Sequence, residues 1–285
     1  MKRKKFISII FLLFTAGSIV NSQKTVESCA ITYVANEGFL IETAKHKVLI
    51  DALFGNIKGN WCDQPADSVA GMMIKGQHPF ENIDVVLVTH NHADHFNGPM
   101  IISFLKNNKK TVLICPDQAG SKLKSDPDYQ KVSDRIHSLK SGRLFDTSLY
   151  INKINIRVLR FNHGSYFETD SVTGKSYDLH SNVENFGYLI ESDGYTIFHS
   201  GDDNPANKEQ YKAYNIGGKE LDAVFLDRVF LRREGQELMN EFFHTKNIIF
   251  MHIEPGRGEY YRTVIKSIPE MFAFTKSMEK KVILK

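Results

Sequence analysis

Residues 88 to 98 read VTHNHADHFNG, which puts His90, His92, Asp94 and His95 within six positions. The stretch that leads into them, IDVVLVTH, is a continuous apolar run ending at the first histidine. Such a run marks a strand buried on both faces, as in a sheet covered by helices. The histidines therefore begin where the backbone leaves a buried sheet. In extended chain, residues i and i+2 point to the same side, so His90 and His92 share a face. Asp94 and His95 follow a turn and address a second position nearby. Imidazoles this close repel one another once protonated, so something has to offset the crowding. A metal ion does so: imidazole suits zinc, and a carboxylate can share or bridge.

A catalytic zinc ion takes roughly three protein ligands and keeps one position open, and paired ions lie about 3.5–4 Å apart. Two ions need more donors than HNHADH supplies. The ends of other apolar runs offer them. RVLRFNHG places His163 at the end of a strand, YTIFHSGDD places Asp202 just after one, and NIIFMHIEP places His252 at the end of a third. Strand ends are where open sheets present ligands. A solvated polar loop is the alternative reading of HNHADH, and the metal-ligand types after three further strands weigh against it. His46, His78, His137 and His244 read as core or surface residues. Strand alternation does not say whether His199, three residues before Asp202, faces the site.

The rest of the chain interleaves strands and helices. CAITYVANEGFLIETAKHKVLIDALF reads as three strands with turns at Asn36-Glu37-Gly38 and near Lys45-His46. Residues 55 to 80 read as a long loop around Trp61. GPMIISFLKNN then suggests a helix, TVLIC a strand, residues 117 to 146 helix and loop, and LYINKINIRVLRF a strand or hairpin. Residues 164 to 182 look like loop. FGYLIES and YTIFHS are strands about the Asp193-Gly194 turn, and LDAVFLD is a buried strand. GQELMNEFF and GEYYRTVIKSIPEMFAFTK suggest helices, and KVILK a closing strand. No internal repeat is visible. Residues 23–285 are expected to form one α/β domain of sheets flanked by helices.

Charge and cysteine count exclude some classes. The chain has 36 Lys and Arg against 33 Asp and Glu, and Lys2, Arg3, Lys4 and Lys5 carry that excess. The body has no basic surplus, so no nucleic-acid partner is expected. MKRKKFISIIFLLFTAGSIVNSQ has a basic start, a short apolar run and small or polar residues after it. It reads as a signal peptide over residues 1–22, cleaved before Gln23. The apolar run is short for a span of about 20 residues, so no stable membrane span is expected after cleavage. The mature chain is then periplasmic or secreted. Cys29, Cys62 and Cys115 show no C-x-x-C spacing, and the odd count leaves at least one thiol free.

The order H-x-H-x-D-H, a histidine, G-D, and a histidine after an apolar strand resembles the metallo-β-lactamase superfamily. The opening EGFLIETAKHKVLIDALFG is similar as well, so the likeness covers nearly the whole mature chain. It implies a four-layer αββα sandwich with the metal site at the sheet edge. It further implies one ion on His90, His92 and His163, a second on Asp94, His95 and His252, and Asp202 bridging both. Two Zn2+ are the expected cofactors, with Mn2+ or Fe2+ in some members, and a metal-bound hydroxide of pKa near about 7 is the implied nucleophile. His180, in YDLHSNVENFGYLI, competes with His163 as third histidine; His163 is favoured because a strand runs directly into it. His180 then supports the ligands or donates a proton, and it joins Asp94 as a candidate catalytic residue.

Within that superfamily, SGDD departs from the β-lactamases themselves, which usually carry cysteine or another residue where Asp202 stands. Lactonases, phosphodiesterases, nucleases and thioester hydrolases share the G-D form. ENFGYLIESDGYTIFHSGD looks most like the ascorbate-6-phosphate lactonase-like branch. Flavin-linked diiron relatives carry glutamate at the place of His92. Loops set substrate choice. Here they are residues 53 to 80, with Phe54, Trp61, Met72 and Met73, and residues 164 to 182, with Tyr166, Phe167 and Tyr177. Arg228 and Arg257 are candidate phosphate contacts. The expectation is an exported hydrolase of a small ester, lactone or phosphoester. The alternatives are a phosphodiesterase or nuclease-type member, a metal-binding protein without hydrolytic activity, and a mononuclear-iron oxygenase on the same fold.

Overall fold

The computed structural model describes residues 28–285, and the signal peptide expected over residues 1–22 lies outside the described residues. The first apolar runs form strands β1 (Ser28–Ala35), β2 (Gly38–Glu42), β3 (Lys47–Ile50), β4 (Val85–Leu87), β5 (Val112–Pro116) and β6 (Ile136–Leu139). Then come β7 (Asp146–Ile151), β8 (Ile154–Asn162), β9 (Phe167–Thr169), β10 (Ser176–Asp178), β11 (Glu184–Ser192) and β12 (Tyr195–His199). β13 (Ala223–Asp227), β14 (Ile248–Met251), β15 (Met271–Ala273) and β16 (Lys280–Leu284) complete the set. They build two seven-stranded sheets, ordered β16-β1-β2-β3-β4-β5-β6 and β15-β14-β13-β12-β11-β8-β7, and a small β9–β10 hairpin. In each large sheet one half is antiparallel and the other parallel, β3 to β6 in the first and β12 to β15 in the second.

Strand alternation divides the apolar residues between three cores. Phe39, Ile41, Val48, Ile50, Val85 and Leu87 of the first sheet meet Ile156, Val158, Tyr188, Ile190, Ile197 and Phe225 of the second. The Phe39 and Phe225 rings touch across that interface, 4.6 Å between centroids. The alternate residues Leu40, Leu49, Val86 and Leu113 face helices α1 (Asp67–Lys75), α2 (Gly98–Asn107) and α3 (Asp117–Leu123). Leu159, Leu189, Phe198, Val224 and Phe250 face helices α4 (Lys208–Ala213), α5 (Arg233–Phe242) and α6 (Gly258–Ile265). The result is the four-layer αββα arrangement.

Several local elements differ from the sequence reading. Helix α1 lies inside the segment read as loop. Its buried Val69 and Met73 sit one turn apart, and Gly76, at φ 58°, ends it. β6 emerges from the polar stretch 117–146, and residues 164–182 hold the β9–β10 hairpin. The terminal helix stops at Ile265; the chain passes Pro269, which has no N–H to continue a helix, and enters β15. Cys29, Cys62 and Cys115 are all buried and unpaired. Among the described residues, no helix is long and apolar enough to cross a membrane.

Candidate metal centre

The ends of strands from both sheets, β4, β12 and β14 of the parallel halves and β8 of the antiparallel one, meet at one seam, and the chemistry collects there. β4 delivers Thr89 and His90, β8 delivers His163, β12 leads through Ser200-Gly201 to Asp202, and β14 leads to His252. The seam is tied before any ion is considered. Phe186 N–H donates to the Thr89 carbonyl at 2.8 Å, and the buried Tyr188 hydroxyl donates to the Val88 carbonyl at 2.7 Å. After His92 the chain makes one tight turn, with the His95 and Phe96 amides on the His92 carbonyl. That turn carries Asp94 and His95 to the far side of the motif.

Two groups of donor atoms result. His90, His92, His163 and Asp202 bring one donor atom each to within 4.8 Å of one another. His163 Nε2 lies 3.3 Å from His90 Nε2 and 3.2 Å from Asp202 Oδ2. This is the first position. Asp94, His95 and His252 surround the second: Asp94 Oδ2 is 3.5 Å from His95 Nε2 and 3.3 Å from His252 Nε2. Asp202 stands between the two, Oδ2 toward His163 and Oδ1 3.2 Å from His95 Nε2. All seven residues expected from the sequence therefore meet at one place. His180 sits beside them, its ring 4.4 Å from that of His163 and 4.8 Å from that of His92.

Neighbours fix the imidazole tautomers. The His163 and His180 Nδ1 atoms both face the Gly164 carbonyl, at 2.8 and 2.9 Å, which leaves each Nε2 free. The Thr89 hydroxyl donates to Asp51 Oδ2 at 2.5 Å, so it accepts from His90 Nδ1 at 3.0 Å. Asp51 Oδ2 also accepts from His95 Nδ1 at 2.9 Å, and Asp51 Oδ1 from the Thr89 amide at 2.8 Å. In each case the proton sits on Nδ1 and Nε2 points inward, as a carboxylate–histidine–metal chain requires. His252 is placed differently: Arg228 Nη1 lies 3.0 Å from its Nδ1 and donates to its carbonyl at 2.6 Å, with Asp227 Oδ2 3.5 Å from that Nδ1.

The Asp202 turn needs its glycine. Gly201 lies at φ 59°, and a Cβ there would come 2.3 Å from Asn185 Oδ1. That same Oδ1 accepts from the Asp202 amide at 3.1 Å, and Asn185 Nδ2 donates to the Ser200 carbonyl. Asn185 thus holds the turn that aims Asp202.

Charge separates the two positions. Burial, reinforced by His95 and His163, drives the His90 imidazole well below its usual range, and burial and His163 bring His92 to about 4. Both are neutral and ready to donate a lone pair. Burial also opposes charge on His252, yet Asp202, Asp94 and Asp227 lift it to about 9. Burial works likewise against His95, and Asp202, Asp94 and Asp51 outweigh it and raise it well above the imidazole range. Protons gather where cations are wanted. Among the described residues, four of the seven buried side-chain polar atoms without a hydrogen-bond partner are here: Glu37 Oε1 and Oε2, His95 Nε2 and Asp202 Oδ1. A divalent metal fits that set, because histidine nitrogens and carboxylate oxygens are its ordinary donors.

Four residues escaped the sequence reading: Asp51, Asn36, Glu37 and Asn185. Asn36 donates to Asp94 Oδ2 at 3.2 Å, and Asp51 sits just beyond β3. The only sequence signal was NEG and ID at strand ends, which turn chemistry explains equally well. His199 proves fully buried beneath the site. Its Nδ1 accepts from the Gly201 amide and its Nε2 lies 3.4 Å from the Glu37 carbonyl. Of the expected substrate-loop residues, Phe54 and Met73 turn into the core, while Trp61, Tyr166, Phe167 and Tyr177 are exposed. Arg228 is committed to Glu254 and the His252 carbonyl, and Arg257 lies over the Tyr260 ring at 4.1 Å. A cleft of about 740 Å³ opens beside His163 and His180, bordered by Asn162, Asn204, Asn207 and Arg143.

Known structures share this architecture. A possible metal-dependent hydrolase from Veillonella parvula is 15% identical at a TM-score of 0.58, covering 89% of this chain and 99% of its own. Igni18, a metallo hydrolase from Ignicoccus hospitalis, is 14% identical at 0.56, over 90% and 99%. An isothiocyanate hydrolase from Delia radicum gut bacteria is 14% identical at 0.56, over 90% and 100%. At these identities the likeness carries the fold alone. No curated protein matches. These neighbours do not single out the ascorbate-6-phosphate lactonase-like branch. A family model described as "Beta-lactamase superfamily domain" matches residues 46–255, most of the chain, and with the fold it shows that this protein belongs to the metallo-β-lactamase superfamily of metal-dependent hydrolases.

Proposed function

We propose that this chain is a dinuclear metal hydrolase, with zinc the leading metal, acting on a small ester, lactone or phosphoester. The observation that carries the reading is Asp202, whose two oxygens face separate histidine groups across the seam. His90, His92 and His163 would hold one ion, Asp94, His95 and His252 the other, and Asp202 would bridge them. Such a pair supplies an acidified water and a Lewis acid for a carbonyl or phosphoryl oxygen. Asp51 and Thr89 keep His95 and His90 in the donating tautomer. Asn36 and Asn185 aim Asp94 and Asp202. His180, anchored through Nδ1 on Gly164, presents Nε2 beside the first position and is placed to pass a proton to the leaving group.

The cleft beside His180 suits a small polar substrate, and the exposed Tyr166, Phe167 and Tyr177 stand at its hairpin rim. Export to the periplasm or medium, with cleavage before Gln23, belongs to the same reading and rests on the N-terminal sequence. Elemental analysis of the purified chain and of a His90→Ala variant tests the centre. About two zinc per chain, falling in the variant, supports it and licenses a screen of esters, lactones and phosphodiesters. A metal content that the substitution leaves unchanged refutes it, and a single iron per chain redirects the screen to oxygen chemistry.

A further inference from the structure

The turn between β1 and β2 carries a carboxylate that the superfamily pattern did not call for. Glu37 is fully buried, and neither of its oxygens has a hydrogen-bond partner. His95 Nδ1 is 3.7 Å from Glu37 Oε2, too far for a hydrogen bond, and its proton already goes to Asp51. The other groups that act on Glu37 most strongly are the carboxylates of Asp202, Asp227 and Asp51, which repel it. An ionised carboxylate left in this state is among the most costly things a protein can bury. A proton would neutralise it but would give neither oxygen a partner, whereas a cation does both.

The placement points the same way. Donor atoms of Glu37, His95, Asp202 and His252 lie within 4.8 Å of one another. That is close to the spread of about 4 Å that two metal bonds of roughly 2.0–2.2 Å on one ion allow. Three of these four residues also supply the orphaned atoms of the site. The backbone is shaped to bring Glu37 in: Asn36 takes φ 49° and reaches Asp94, and a Cβ at Gly38 would lie 2.8 Å from the Asp51 carbonyl. The turn is thereby wedged between Asp94 and Asp51.

We infer that Glu37 is a metal ligand, completing the second position together with His95, His252, Asp94 and Asp202; this rests on the two-ion reading above. Asp51, Asp94, Asp202, Asp227 and Glu37 bring five carboxylates to the site, and two divalent ions would offset most of that charge, with Arg228 shared between Glu254 at 2.9 Å and Asp227 at 3.6 Å. The two positions also become chemically unequal. The first is three imidazoles and a shared carboxylate, a set that suits zinc. The second has two imidazoles and three carboxylates, a larger and oxygen-rich set that suits Mn2+ or Fe2+.

The test uses the metal-stripped full chain titrated calorimetrically with Mn2+ and with Zn2+, wild type beside Glu37→Gln, with thermal melting of the metal-free forms. Gln matches the shape of a neutral acid but is a poor ligand. The expected result is two ions in the wild type, a first ion unaffected by the substitution, and a second weakened about tenfold or more, most for Mn2+. The metal-free variant should melt no lower than the wild type. Both ions binding Glu37→Gln as they bind the wild type overturns the assignment. If the wild type takes only one ion, the two-ion reading fails, and Glu37 stands or falls on whether the substitution weakens that ion. If Glu37→Gln does not fold, Glu37→Asp keeps the charge one methylene short; unchanged Mn2+ affinity there also overturns the proposal.

Discussion

Asp51→Asn should cost the second position its metal while leaving the fold in place. Asp51 accepts three protons: from the Thr89 amide at 2.8 Å, the Thr89 hydroxyl at 2.5 Å and His95 Nδ1 at 2.9 Å. An amide has one acceptor oxygen and one donor nitrogen, so in either orientation a donor must face a donor. With nitrogen toward His95, the imidazole escapes by moving its proton to Nε2, which points at the metal. With nitrogen toward Thr89, the buried amide loses its acceptor. A hydrogen bond to a charged group is worth about 1.5–3 kcal/mol. At about 1.4 kcal/mol per decade that is a loss of roughly 10- to 150-fold in affinity. Substitutions behind metal ligands cost about 10–100-fold, which agrees. The backbone is not the cause, since Asp51 sits at φ 43°, where asparagine is as comfortable as aspartate. Competition with a chromophoric chelator reads the affinity. An affinity within threefold of wild type at both positions would refute the tautomer argument.

Gly201→Ala combines a left-handed backbone with a Cβ 2.3 Å from Asn185 Oδ1. It should lower stability by about 2–4 kcal/mol in denaturant unfolding and reduce metal uptake through Asp202; an unchanged midpoint argues that the turn is not rigid. His180→Asn should keep full metal content and lose about 10²–10⁴-fold in turnover on any substrate found; loss of metal instead would make His180 a ligand. The metal-free chain should be most stable near about pH 6–7. His252 is raised to about 9, so its ion pairs stabilise fully below about 6.5 and are lost as pH climbs through about 9. His92 and His199, each held near about 4 by burial, are neutral in the fold, so stability also declines as pH falls from about 6.5 toward 4. Thermal melts across pH, with His252→Ala erasing the alkaline limb, check the sign on each side.

The donors were legible because each stood at the end of an apolar run, and the run itself says where the chain leaves the sheet. The residues that support them were not. Asp51, Asn36, Glu37 and Asn185 are single polar residues in turns or in a buried strand, and only tertiary neighbours tell them from ordinary turn formers. Asn185 is the second residue of β11, just before the apolar run Phe186–Ile190, and its partners Ser200 and Asp202, 15 and 17 residues away, could not be inferred. The same limit hid secondary structure. Val69 and Met73 had helical spacing but lay among Gly, Asp and Pro. The β9–β10 hairpin is exposed along most of its length and has no apolar face to betray a period of two. Met271, Phe272 and Ala273 extended an apolar pattern that looked helical, although Pro269 marks the break.

Both positions draw on both sheets: His90, His92, Asp94 and His95 come from the first, and His163, Asp202 and His252 from the second. Ions there would act as staples across the seam, and their loss should be felt there before elsewhere. Each ion stabilises the folded chain by about 4 kcal/mol when present at roughly a thousand times its dissociation constant. Without ions, the link between sheets rests locally on the Phe186–Thr89, Tyr188–Val88 and Gln118–Glu184 hydrogen bonds and on the His252–Asp94 and His95–Asp202 pairs. Amide hydrogen exchange separates this from a general loss of stability. On chelation, the Phe186 amide should lose far more protection than Ile190, which lies within the same strand but is paired inside one sheet. Equal loss at both amides would mean that the two halves unfold as one unit and that the ions stabilise the whole fold rather than its seam.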